Sequence, residues 1–200
     1  MKKLVYLISP NKIDRNFFAS LDKVLSFKNV KFFQLRLKNL SQKKLLNFSK
    51  RIIKITTKHK VKFIINDNFI LASKIKVDGC HMGQLDGSFK IARKKLKGKI
   101  LGITCHNSKI LANNAIENKA DYIAFGSFSK SKLKPNAKKA NIKVLKWAKK
   151  NIKKPIVVIG GINNVNYKRL IKAGANYIAL SSYIWDNPKL KPEIAIRKFK

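Results

Sequence analysis

Along the chain, short runs of β-branched and aromatic residues alternate with lysine-rich stretches whose apolar positions recur every three or four residues. The first pattern predicts strands at Leu4–Ser9, Phe32–Leu37, Lys62–Asp67, Gly79–Met82, Ile100–Cys105, Tyr122–Ser127, Ile156–Gly161 and Tyr177–Ser182. The second predicts helices at Ser41–Lys58, Asn107–Asn118, Asn141–Lys150 and Asn163–Lys172, with a last one before the C-terminus. In the longest, Ser41 is placed to cap, and Leu45, Phe48, Ile52 and Ile55 share a face. Eight strands, each followed by a helical or short connecting segment, is the count of an α/β (β/α)8 TIM barrel. An open doubly wound sheet is the alternative. No linker or low-complexity boundary interrupts the pattern, so residues 1–200 are expected to form a single domain, with short loops because 200 residues is the lower edge for this fold.

Composition adds a compartment and a caution. An apolar fraction of 45% suits a globular chain, and no run approaches the length of a membrane span. The apolar start after Lys2-Lys3 stops at Ser9-Pro10-Asn11, too short for a signal peptide, and no small-residue cleavage site follows. Two cysteines, Cys80 and Cys105, do not make a disulfide framework. A cytoplasmic protein with no membrane partner is expected. The net charge of +37 invites a nucleic-acid reading. Yet it comes from 40 Lys against 6 Arg, spread over the whole length beside 19 Asn, as an A/T-rich codon bias would supply. Arginine, preferred for bidentate phosphate and base contacts, is scarce. No specific nucleic-acid partner is expected, only adhesion at low salt.

With nine acids in 200 residues, each carboxylate can be weighed individually. Asp67 and Asp86 stand at predicted strand ends, whereas Asp14, Asp22, Asp121 and Asp186 read as turn or cap residues. In Gln34-Leu35-Arg36-Leu37-Lys38, strand alternation puts an amide, a guanidinium and an ammonium on one face. Two cations aimed alike at a strand end imply an anion between them, against the plainer reading of a solvated edge strand. Other strand ends carry Asn66-Asp67, His81 through Asp86, Thr104-Cys105-His106, Gly126-Ser127-Phe128-Ser129, Gly160-Gly161 and Ser181-Ser182. In this fold active sites form at the carboxyl ends of the strands, and the loops after strands 7 and 8 commonly cradle phosphate. Gly160-Gly161-Ile162 running into a helix near Asn163 fits that use, with a plain glycine turn as the alternative. Asp67 and Asp86 are hard oxygen ligands suited to Mg2+ together with substrate phosphates, unless they are merely solvated loop acids. Zinc is not expected, because the neighbours in Cys80-His81 and Cys105-His106 face opposite sides of their strands.

In order and spacing, these motifs resemble the thiamine-phosphate synthase family. They are Gln34 to Lys38, Ile65-Asn66-Asp67, Asp78 to Asp86, Gly102 to His106, Asp121 to Gly126, Ile159 to Ile162, and Ala173-Gly174-Ala175 ahead of Ser181-Ser182. The resemblance implies a (β/α)8 barrel that joins hydroxymethylpyrimidine diphosphate to thiazole phosphate, releases diphosphate and requires Mg2+. It implies that Gln34, Arg36, Lys38, Asn66, Thr104 and Lys134 hold the pyrimidine diphosphate, with Arg36, Lys38 and Lys134 acting on the leaving group. Asp67 and Asp86 are implied as metal ligands. Ser131, Leu133, Gly161, Ser181 and Ser182 are implied around the thiazole phosphate. The chain departs from the family's Thr-x-Thr-Lys pattern, since the aligned stretch is Ser131-Lys132-Leu133-Lys134; shifting to Ser129-Lys130-Ser131-Lys132 restores the pattern in a loop two residues shorter. The related thiazole tautomerases share the barrel and use a histidine corresponding to His106, which makes them the nearest alternative. A basic nucleic-acid-binding protein is the more distant one. The resemblance leaves assembly open, a homo-oligomer included.

Overall fold

The computed structural model describes residues 4–38, 40–129 and 140–200. Eight parallel strands close a barrel in sequence order: β1 (Val5–Ile8), β2 (Val30–Leu35), β3 (Lys62–Asn66), β4 (Gly79–Met82), β5 (Ile100–His106), β6 (Tyr122–Gly126), β7 (Ile156–Ile159) and β8 (Tyr177–Leu180). The helices between them are α1 (Phe17–Leu25), α2 (Gln42–Lys58), α3 (Phe69–Lys74), α4 (Phe89–Leu96), α5 (Lys109–Glu117), α6 (Ile142–Asn151) and α7 (Tyr167–Lys172). Two short helices, α8 (Ser182–Trp185) and α9 (Pro192–Ala195), lead to the C-terminus. The closed barrel is the expected fold, and the open-sheet alternative is excluded.

Strand alternation divides the apolar residues into two cores. Tyr6, Ile8, Phe32, Ile64, Tyr122, Ala124, Val157 and Ala179 turn inward and fill the barrel. Their neighbours of opposite parity, among them Leu7, Phe33, Leu35, Ile65, Cys80, Ile103, Cys105 and Phe125, pack outward under the helices. Both cysteines therefore sit in the outer core, and among the described residues no group of three or more His, Cys, Asp or Glu converges on a metal position. Burial pushes the Cys105 thiol up to about 12 and the Cys80 thiol higher. Helix starts follow the caps: the side chains of Ser41, Asn68, Ser88, Ser108 and Asn141 each accept a first-turn N–H.

Space inside the barrel is set partly by glycine. A Cβ on Gly102 would lie 1.9 Å from Cζ of Tyr122, a ring that crosses the interior from β6. Gly102→Ala is expected to destabilise the protein by about 1–3 kcal/mol, the usual range for overpacking a filled core. A lowered urea midpoint at unchanged slope would show it, and an unshifted midpoint would mean that the Tyr122 ring has room to move.

Three expectations shift in detail. Strand β2 ends at Leu35, so Arg36 and Lys38 stand just past it. Helix α7 begins at Tyr167 and not near Asn163. Asp22 and Asp121 are pairing groups and not turn or cap residues, meeting Lys58 with His59 and Arg93 respectively. Asp14 does hold a turn, accepting the N–H of Asn16.

Candidate active site

The mouth at the carboxyl end of the barrel collects the polar residues. Gln34, buried inside β2, donates from Nε2 to Oδ1 of Asn66 on the adjacent β3 at 2.5 Å. Oε1 of Gln34 and Nδ2 of Asn66 have no hydrogen-bond partner among the described residues. Just beyond Gln34, the N–H of Arg36 donates to Oγ of Ser9 at 2.9 Å, which ties this segment to the end of β1.

Asp67 follows β3 in a left-handed conformation (φ 62°) that its N–H stabilises by donating to the carbonyl of His81 at 2.7 Å. This bend turns its carboxylate toward Asp86. Asp86 is held by the N–H of Gly83, which donates to Oδ2 at 2.6 Å; a Cβ on Gly83 would come within 3.0 Å of that oxygen. Partial burial and then the neighbouring Asp86 push the Asp67 carboxyl up to about 7, while Arg36 and Lys38 pull it down. Residues from three strand ends thus act on one another as charges. Neither Arg36 nor Lys38 forms an ion pair with an acid among the described residues, although Lys58, His59, Lys62 and Arg93 all do. The mouth therefore holds two uncommitted cations beside two crowded carboxylates. The first suits an anion, and the second is a donor set that would suit a hard divalent cation.

The loop after β4 is tied over β5, because Nε2 of Gln84 donates to the carbonyl of Thr104 at 2.5 Å. The hydroxyl of Thr104 lies 2.8 Å from Nε2 of His81. The sequence places His81 among the polar residues at the end of strand 4 but assigns it no role, and nothing local shows that its ring turns into the barrel. Burial pushes its imidazole down to about 4, so the ring is neutral at neutral pH.

At the other side of the mouth, Gly160 (φ 98°) and Gly161 (φ 61°) adopt conformations that favour glycine. A Cβ on Gly160 would strike Oγ of Ser127 at 2.1 Å. Nδ2 of Asn166 donates to the carbonyl of Gly161 at 2.9 Å, and the N–H groups of Val165 and Asn166 donate to Oδ1 of Asn163. These side-chain turns take up the amides of Val165 and Asn166, which an α-helix starting at Asn163 would have left free. Ser181 donates its hydroxyl to the carbonyl of Ser9 at 3.0 Å, and Ser182 opens α8. Within that short helix the amides of Ile184 and Trp185 both donate to the carbonyl of Ser181. His106 is exposed at the end of β5, with φ 50°. Ser131, Leu133 and Lys134 lie outside the described residues.

A (β/α)8 barrel with anion-seeking cations and paired acids at its carboxyl mouth belongs to the class of enzymes that act on small phosphorylated molecules. A family model described as Thiamine monophosphate synthase matches residues 5–184. A thiamine-phosphate synthase of Pelagibacter ubique is 54% identical over 200 residues, covering 100% of this chain and 97% of that protein. Another, from Erythrobacter litoralis, is 39% identical over 186 residues and covers 90% and 87%. Among solved structures, a thiamine phosphate pyrophosphorylase from Pyrococcus furiosus superposes with a TM-score of 0.87 at 23% identity, covering 98% and 93%, which supports the fold. The chain belongs to the thiamine-phosphate synthase family and is a transferase. An orotidine 5'-phosphate decarboxylase from Pyrococcus horikoshii shares the barrel at a TM-score of 0.66 and 14% identity. The fold alone therefore does not select the chemistry.

Proposed function

We propose that this chain, folded as one domain over residues 1–200, condenses 4-amino-2-methyl-5-hydroxymethylpyrimidine diphosphate with 4-methyl-5-(2-phosphoethyl)thiazole. The products are thiamine phosphate and diphosphate. The observation that supports this most directly is the grouping of Arg36 and Lys38, unpaired by any described acid, around the Asp67–Asp86 carboxylates. Family membership supports it independently.

The reaction breaks the C–O bond of the pyrimidinylmethyl diphosphate, and both electrons leave with the diphosphate oxygen. A pyrimidinylmethyl cation remains. The thiazole nitrogen donates its lone pair to that carbon and forms the C–N bond, and no proton need move. Catalysis is then a matter of stabilising charge on the leaving group and holding two partners in line. Arg36, Lys38 and Lys134 surround the diphosphate in this reading, and Gln34, Asn66 and Thr104 hold the pyrimidine. Gly161, Ser181, Ser182 and Ser131 receive the thiazole phosphate, with Leu133 beside them in place of the family's second hydroxyl. Asp67 and Asp86 would hold Mg2+, which when bound neutralises charge on diphosphate oxygens. The crowding of the two carboxylates, which by itself disfavours ionisation of Asp67, fits a cation between them. Two buried cysteines that form no disulfide are consistent with a cytoplasmic enzyme.

Incubation with both phosphorylated substrates tests the proposal. Thiamine phosphate and diphosphate are expected in equal amounts, only with Mg2+ present. Proton exchange on the thiazole without condensation would replace this reading with that of a tautomerase.

A further inference from the structure

Beneath the mouth, four hydrogen-bonding groups form a row through the barrel interior. Oη of Tyr6 lies 2.7 Å from Oη of Tyr122, which lies 2.8 Å from Nδ1 of His81. Nε2 of His81 lies 2.8 Å from Oγ1 of Thr104, which is half-buried at the upper end. The row crosses β1, β6, β4 and β5, and its first three members are buried. The rings of His81 and Tyr122 stack with centroids 5.6 Å apart and planes 14° apart. Gly102 supplies the space for Tyr122.

Counting protons gives the row a direction. Each hydroxyl carries one proton, and a neutral imidazole carries one on nitrogen. Tyr6 is 2% exposed, and among the described residues its hydroxyl meets only Tyr122. A buried donor left unpaired is costly, so Tyr6 donates to Tyr122. Tyr122 must then donate to Nδ1 of His81. That places the imidazole proton on Nε2, which donates to Thr104 and leaves the Thr104 proton free at the mouth. The opposite order strands the proton of Tyr6.

We propose that this row fixes Thr104 as a hydrogen-bond donor toward an acceptor atom of the bound pyrimidine, such as a ring nitrogen, with His81 and Tyr122 as positioning residues. The proposal rests on the reading above that Thr104 meets the pyrimidine. It adds which way the hydrogen bond runs and which buried groups enforce it.

The test combines kinetics with a spectrum. Tyr122→Phe and Thr104→Val are each expected to raise KM for the pyrimidine diphosphate about tenfold, the cost of roughly one hydrogen bond. The double variant should be no worse than Thr104→Val alone, and KM for the thiazole phosphate should stay put in all three. Tyr6→Phe should stay within about twofold of the parent, since Tyr122 still has only His81 to donate to. Multiplying effects in the double variant, an equal rise in both KM values, or a Tyr6→Phe loss equal to that of Tyr122→Phe would overturn the proposal. In the parent protein, a 15N spectrum of His81, assigned by its loss in His81→Asn, should show a protonated Nε2 and a bare Nδ1. An Nδ1–H tautomer would refute the direction of the row. The spectrum needs no turnover, so a parent that forms no thiamine phosphate counts against the synthase reading while the row is still tested on its own.

Discussion

Arg36→Ala is expected to raise the barrier to turnover by about 2–4 kcal/mol, a loss of about 30- to 1000-fold. Arg36 is half-buried, its backbone N–H is pinned to Ser9, and no described acid within ion-pair distance neutralises its guanidinium. A positive charge held in place without a partner lowers the energy of whatever anion forms beside it. In the proposed reaction that anion is the departing diphosphate, whose charge grows as the C–O bond breaks, so the interaction strengthens toward the transition state. The loss should therefore appear in kcat at saturating concentrations of both substrates and not only in KM. Arg36→Lys should recover part of it, because the charge survives while the planar fork does not. Turnover of Arg36→Ala within twofold of the parent would remove Arg36 from the mechanism.

Much of this mouth is legible in the sequence because a strand has a period of two. Gln34, Arg36 and Lys38 share a parity, and although β2 stops at Leu35, all three still come to the same end of the barrel. Asp67 and Asp86 are conspicuous because acids are so rare here, and they meet because β3 and β4 are neighbours in register. Alternation separates Cys80 from His81, and the structure decides which is which, with Cys80 outward under the helices and His81 inward against Tyr122. The start of α7 was misjudged for a local reason. Asn163 does bind two following amides with its side chain, as a cap would, but Asn166 folds back onto Gly161 and delays the helix to Tyr167. The row from Tyr6 to Thr104 was not legible at all. Its links span 116, 41 and 23 residues; Thr104 and His81 are singled out in the sequence for other reasons, and the two tyrosines read alone as ordinary core residues. Only closure of the barrel brings them together.

Asp67→Asn is expected to cut Mg2+-dependent turnover by about 3 kcal/mol or more, since a metal supplies several kcal/mol of charge stabilisation when two acids hold it. The same variant should also change stability in the metal-free protein, in a direction fixed by linkage. Asp67 titrates near 7 in the folded chain, raised first by burial and then by Asp86, against an ordinary carboxyl value of 3.8. A folded pKa above the unfolded one means that the folded state holds its proton more tightly. That contribution is complete below about pH 4 and is lost as pH rises through about 7. Relative to Asp67→Asn, the metal-free parent should therefore lose stability between pH 5 and pH 8. The loss should be about 1–2 kcal/mol, discounted because the carboxyl is about half exposed to screening solvent. The rest of the lysine-rich surface is common to both proteins, so the difference between their melting curves isolates this pair. Adding Mg2+ at pH 8 should raise the Tm of the parent and leave Asp67→Asn nearly unmoved, because bound cation relieves the repulsion that the amide never had. Equal Mg2+ responses in the two proteins, or a variant that turns over at the parental rate, would show that these carboxylates do not hold the metal.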